Sequence, residues 1–354
     1  MLRFPLIVLV VFIHNNFHEI RFAGAVEPVV TSEYIQIVRT LISDILARAA
    51  VPLLFLISGF LLYKKNPNSM ANIKKKSKSI LLPYLLWITV AILFFYLAQS
   101  LPFASQYFSS PHNLIRNFSF LDWVDAYFGK FTNRAPYPFL YPFWFLRDLF
   151  ILNLCFPFIK AFLNKAPLTY LLTTLLLWMG DIHSCLFSAE ALFFFSIGFQ
   201  AAKCGITVKS VDSISFQDAT IAYLFFITLE LFIYKNVTII HKANILLGSV
   251  VLLKTANYLA NKEVIYTWSS KLEGYAFFLY ASHEPLLTIL KKISAKSLPQ
   301  NGVYVLVQYF AVTAITVLIS LFLGVILRSN WPAAYSILTG ERKSTGVAVA
   351  SNPV

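Results

Sequence analysis

The feature that most constrains this chain is a succession of apolar stretches, each near the length that crosses a bilayer as a helix. Ten can be read, at about 2–19, 42–63, 79–99, 138–161, 167–181, 186–203, 218–235, 243–260, 273–291 and 303–327. In hydrocarbon every backbone N–H and C=O needs an internal partner, so such stretches must be helices. Across its 354 residues the chain is 58% hydrophobic and only 13% charged, about half the charge of a soluble domain. The mean hydropathy is +0.69. The expected fold class is therefore all-α: a polytopic integral membrane helical bundle of about ten transmembrane helices. Residues 1–330 make up the transmembrane domain, and 331–354 are expected to be a polar, disordered tail.

The formal net charge is +13. The basic residues sit in short connections between apolar stretches, where topogenic lysines belong, which excludes nucleic acid as a partner and leaves membrane lipids. Lys64, Lys65, Lys74, Lys75, Lys76 and Lys78 bias the count toward an inside N-terminus. Both termini are then expected in the cytoplasm, with loop 100–137 outside and its DWVDAYFGKF stretch lying as an amphipathic helix along the interface. Cys155, Cys185 and Cys204 form neither a close pair nor a metal spacing, so no disulfide framework and no zinc site is expected. Arg3, an apolar run and Ala23-Gly24-Ala25 imitate a signal peptide, but the intervening HNNFHEIRF is too charged, and a retained first helix is the reading.

Ionisable groups inside such helices are functional candidates, because lipid makes them costly. Arg3 and His14 are eleven residues apart. That is about 1100° of rotation, three turns plus roughly 20°, so both side chains share one face about 16 Å apart along the axis. A buried histidine can take a proton from an alcohol or itself attack an acyl carbonyl. It can equally cap a helix end. His18 stands one turn from His14, but with no third ligand in sight no metal is expected.

Four other segments stand out. In VPLLFLISGFLLY, residues 51–63, Gly59 beside Ser58 with Pro52 upstream suggests a bend or a close backbone approach. In KKKSKSILLPYLLW, residues 74–87, Lys75 and Lys78 face one way on a helix. They either neutralise a phosphorylated donor or serve topology and anionic lipid. In YPFWFLRDLFIL, residues 141–152, Arg147 and Asp148 cannot face lipid cheaply, and Trp144 is a turn away. An internal ion pair and a site for an anionic or hydroxyl-bearing substrate are both open. In EGYAFFLYASHEPLL, His283 and Glu284 precede Pro285, which frees a carbonyl; His283 either meets a group on the first helix or caps the broken turn.

Together these segments resemble the membrane acyltransferase type 3 family, multi-pass O-acyltransferases that modify glycans and lipids. The likeness runs from residue 2 to about 330 and is carried by five matches. They are the basic residue, ten intervening residues and histidine of Arg3 to His14, then VPLLFLISGFLL, IKKKSKSILLPYLLW, FWFLRDLFIL and FFLYASHEPLL. The family's Arg-x-x-Arg is replaced by Lys75 and Lys78, or Lys74 and Ser77, which keeps charge but loses the bidentate fork. The resemblance implies His14 as catalytic histidine with Arg3 as its companion. It implies donor- or substrate-binding roles for Lys75, Lys78, Trp144, Arg147, Asp148, His283 and Glu284. It further implies no bound cofactor, an acyl-coenzyme A donor (acetyl-CoA), a glycan or lipid-linked sugar acceptor, and a bacterial inner membrane. The rival reading is a secondary transporter or flippase for an anionic solute, which buried Arg147, Glu284 and His14 would also suit; an inverted repeat, its usual mark, is not seen.

Overall fold

The computed structural model describes residues 2–15, 21–22, 25–26, 33–65, 69–102, 114–129, 137–182, 186–206, 213, 215–233 and 237–341. Apart from a two-residue antiparallel pairing of Arg21–Phe22 with Ala25–Val26, the described regular structure is helical. In chain order the helices are α1 (Arg3–His14), α2 (Glu33–Lys65), α3 (Ala71–Ser100), α4 (Phe120–Phe128), α5 (Trp144–Leu154), α6 (Phe156–Lys165), α7 (Pro167–Met179) and α8 (Ala189–Lys203). They continue as α9 (Phe216–Ile233), α10 (Thr238–Ala260), α11 (Glu263–Glu273), α12 (Ala276–Ser297), α13 (Gly302–Asn330) and α14 (Pro332–Thr339).

Five of these, α2, α3, α9, α10 and α13, are long and apolar enough to span a bilayer. By this measure the described residues show five of the expected ten or so spans, for reasons visible in the other segments. The stretch 138–161 breaks at Cys155, where Pro157 opens a new helix in α6. α1 stops at His14 after 12 residues, and α8 has 15. α12 has the length, with 22 residues, but carries His283, Glu284, Lys291 and Lys292 along with an internal Pro285.

The tightest joint is between α2 and α8. A Cβ on Gly59 would overlap the Phe195 carbonyl, and one on Gly198 would overlap the Leu56 carbonyl, so only glycine permits the contact. The close approach expected at Ser58-Gly59 is therefore present, backbone against backbone. Around it Leu53, Phe55, Phe195 and Phe199 form part of a continuous core that extends to α1, α5 and α12. α2 is not regular throughout: π-helical turns at Thr40–Leu46 and a 3-10 turn at Ala47–Ala49 precede its straight α-helical half.

The helix expected within loop 100–137 is present as α4, opened by a capping box between Ser119 and Asp122. The expected tail begins as structure: Tyr335 of α14 is buried and donates to the Gly274 carbonyl at 2.7 Å, while Trp87 of α3 donates to the Leu338 carbonyl at 2.9 Å. These bonds fix residues that composition alone had left free. Residues 342–354, like His18 and Cys185, lie outside the described residues.

Candidate active site

α1 delivers His14 into the bundle, and its C-terminal end explains how. The last carbonyls of a helix lack partners within it. Here the Phe12 carbonyl accepts from Ser43 Oγ of α2 at 2.6 Å, and the His14 carbonyl accepts from Lys291 Nζ of α12 at 2.9 Å. Asn15, the next residue, is fully buried and donates to the Tyr309 carbonyl and to Thr313 Oγ1 of α13, both at 2.7 Å. The Ser43 and Tyr309 hydroxyls are themselves 2.6 Å apart. His14 is thus pinned by groups from three other helices.

Its ring meets two partners. The His283 imidazole lies 5.4 Å away, centroid to centroid, and the Tyr141 ring meets it edge-on at 5.2 Å. His283 Nδ1 is 2.6 Å from the Tyr280 carbonyl. A carbonyl can only accept, so Nδ1 carries the proton and Nε2 keeps its lone pair. Among the described residues that buried Nε2 has no hydrogen-bond partner. Glu284 accepts from Thr288 at 3.0 Å through Oε1, and its other oxygen is buried and has no hydrogen-bond partner among the described residues. Lys291 stands in the field of Glu284, and Tyr141 in that of both Glu284 and Arg48. An imidazole pair, a phenol, a carboxylate and an ammonium so converge inside the bundle, which equips the place to move a proton to and from a hydroxyl.

Arg3 is at the other end of α1. It is 52% exposed and lies 3.9 Å from Glu273. Lys76 is half-buried and feels the charges of both Lys65 and Arg3, so a basic cluster forms there. Of the basic pair expected at Lys75 and Lys78, Lys78 is exposed and Lys75 half-buried; Lys76, between them, stands in the field of Arg3.

Arg147 and Asp148 are 7% and 0% exposed. Both Nε and one terminal nitrogen of the guanidinium reach Asp148 Oδ1 at 3.0 Å, and the other donates to the Phe128 carbonyl at 2.6 Å. Asp148 Oδ2 accepts from the Ser188 N–H that precedes α8, at 2.8 Å. The pair therefore ties α4, α5 and α8 together. Trp144 is half-buried and packs on Phe55 at 6.1 Å.

Sequence reasoning missed Arg48, Tyr141, Glu190 and Lys291. Arg48 had a readable sign, an arginine inside the apolar run LISDILARAAVP. Lys291 reads in the sequence as one more lysine near the end of an apolar stretch. Tyr141 and Glu190 carry no such sign, since only the fold brings Tyr141 against His14 and Glu190 into the field of Arg48.

Comparison with known proteins bears on this arrangement. A family model described as an acyltransferase domain matches residues 1–325. The chain is similar to the succinoglycan biosynthesis protein ExoH of Rhizobium meliloti (strain 1021), 26% identical over 178 residues, which is 49% of this chain and 46% of that protein. The match thus spans about half the length of this relative. No solved structure matches.

Proposed function

The chain belongs to the acyltransferase type 3 family, and we infer from this membership and its site that it is an integral-membrane O-acyltransferase. It moves an acyl group, acetyl in the simplest case, from acyl-coenzyme A to a hydroxyl of a surface polysaccharide or lipid-linked glycan. The single observation that carries the chemistry is the meeting of His14 with His283 and Tyr141 at the inner end of α1. ExoH, named for succinoglycan biosynthesis, favours a glycan acceptor.

In this reading the phosphates of the donor meet Arg3, Lys65 and Lys76, with Lys75 and Lys78 close in sequence. Its thioester arm follows α1 inward, about 16 Å, to His14. There the acceptor oxygen attacks the thioester carbonyl carbon, the C–S bond breaks, and coenzyme A leaves as the thiol. His14 either takes the hydroxyl proton and passes it to the departing sulfur, or carries the acyl group transiently on its ring. His283 and Glu284 hold and relay protons beside it. The basic connections support a bacterial inner membrane with both termini on the cytoplasmic side, where acyl-coenzyme A is found.

The test pairs purified wild type with His14→Ala and radiolabelled acetyl-coenzyme A. Wild type should consume the thioester or transfer label; the variant should bind donor and do neither. A variant as active as wild type makes His14 structural. Wild type that neither binds nor consumes the thioester overturns the enzyme and brings the anionic-solute transporter forward. Labelled protein formed without an acceptor distinguishes the acyl-carrier route from the general-base route.

A further inference from the structure

Arg48 lies near the middle of α2, which runs from Glu33 to Lys65. Ala47, Ala49 and Ala50 around it are 0% exposed, Ile45 one turn earlier is 1% exposed, and Pro52 one turn later is buried. Arg48 itself is exposed. A side chain that is open while the residues on either side are sealed points away from the packed faces of its helix, and a guanidinium in an apolar helix has good reason to face other polar groups. The 3-10 turn that carries it packs against α1 on one flank and α10 on the other. Among the described residues Arg48 makes no hydrogen bond or ion pair.

The groups in its field are His14, Tyr141 and Glu190. Glu190, in the first turn of α8, is half-buried and stands, beside Trp178, in the fields of Arg48 and of His241 and Lys242 of α10. Those two are bonded in turn, His241 to Glu230 at 2.8 Å and Lys242 to Asp181 at 2.6 Å, and Asp181 is 54% exposed. A polar tract therefore leads from an exposed end of the bundle, past Glu190 and Arg48, to His14.

The far end of α1, with Arg3, Lys65 and Lys76, already offers a place for donor phosphates, so the space beside Arg48 is left for the acceptor. Its chemistry selects one. A guanidinium supplies a fork of donors, a carboxylate supplies acceptors, and the Tyr141 hydroxyl supplies either. The two cations Arg48 and Lys291 face the two acidic side chains Glu190 and Glu284, a balance that suits neutral hydroxyls better than a second anion.

We propose that Arg48 and Glu190 form the acceptor subsite, gripping vicinal hydroxyls of a neutral sugar and presenting one of them to His14. The proposal rests on the acyltransferase reading. It is tested with wild type, Arg48→Met, Arg48→Lys and Glu190→Gln, reconstituted in liposomes, using radiolabelled acetyl-coenzyme A and two probes, methyl β-glucoside and methyl β-glucuronide. Wild type should acetylate the glucoside in preference to the glucuronide. In Arg48→Met and Glu190→Gln the KM for glucoside should rise at least about tenfold while the KM for acetyl-coenzyme A moves less than about twofold. Arg48→Lys should recover part of the loss. Thermal melting of each variant separates lost binding from lost folding, and Arg48→Lys, which keeps charge and length, remains informative if Arg48→Met does not fold. A glucoside KM unmoved by these changes, a rise in donor KM instead, or a wild type that acetylates neither sugar or prefers the glucuronide overturns the subsite. A wild type inert toward acetyl-coenzyme A itself overturns the enzyme reading, a different and recognisable failure.

Discussion

His283 donates its Nδ1–H to the Tyr280 carbonyl one turn back at 2.6 Å, and this bond decides which nitrogen faces the interior. Tyr280 is held in its turn, donating its hydroxyl to the Pro142 carbonyl at 2.5 Å and stacking on Phe143 at 5.6 Å. The neutral Nε2 of His283 is thus oriented by a chain that ends at the start of α5. Replacing His283 by Asn keeps a donor for the Tyr280 carbonyl but removes Nε2. Acyl transfer should fall by about 10²-fold or more with little change in melting temperature, as is typical for loss of a proton-handling group. Steady-state transfer assays beside thermal melts check this.

Lys291 and Glu284 are coupled across the same site, one bonded to the His14 carbonyl and the other to Thr288. Removing either leaves the other buried without its countercharge. Lys291→Met and Glu284→Gln should each lower transfer by about tenfold or more, and the double variant should lose less than the product of the two. Strict multiplicativity in a double-mutant cycle would show the two charges acting independently.

The Arg147–Asp148 pair has every strong bond of its guanidinium committed to the protein. Single variants Arg147→Met and Asp148→Asn should each cost about 3–5 kcal/mol, the usual penalty for orphaning a buried charge. The double variant Arg147→Met/Asp148→Leu should accumulate better than either. Detergent-resistant yield and melting temperature are the readouts. A selective rise in donor KM with an unchanged melt would instead make Arg147 a ligand contact.

The α2–α8 joint makes a prediction about shape alone. Gly59→Ala or Gly198→Ala puts a methyl where a carbonyl of the other helix lies, so the helices must part. Each change should cost about 1–3 kcal/mol or more, as overpacking does, while Ser58→Ala, whose hydroxyl only bonds the Leu54 carbonyl one turn back at 2.7 Å, should cost far less. Melting curves of the three variants decide it.

Composition made the helical class legible, and Ser58-Gly59 announced the close crossing, because both follow from local chemistry. The spacing of Arg3 and His14 correctly put them at opposite ends of one helix face. What sequence could not give was the company each residue keeps. Arg147 and Asp148 read as a site or a clamp with equal ease until Phe128 and Ser188, distant in the chain, were seen to fill their remaining bonds. Lys75, Lys76 and Lys78 are indistinguishable as charges in the sequence; only the fold puts Lys76 in the field of Arg3. Five helices meet the length and hydropathy of a span among the described residues, because Pro157 divides one apolar stretch and α12 carries charges that apolar length alone does not register.

The way α1 ends bears on how the molecule is made. The carbonyl of His14 waits for Lys291, 277 residues downstream, and Asn15 waits for Thr313, 298 residues downstream. Ser43 of α2 can bond the Phe12 carbonyl early, but the His14 carbonyl and the Asn15 side chain lack these partners until α12 and α13 are synthesised. Buried backbone groups without partners are costly in lipid, so α1 can take its final seat only late. Assembly therefore times catalysis: a growing or truncated chain that has not yet placed α12 and α13 can hold most of the bundle and still have no site.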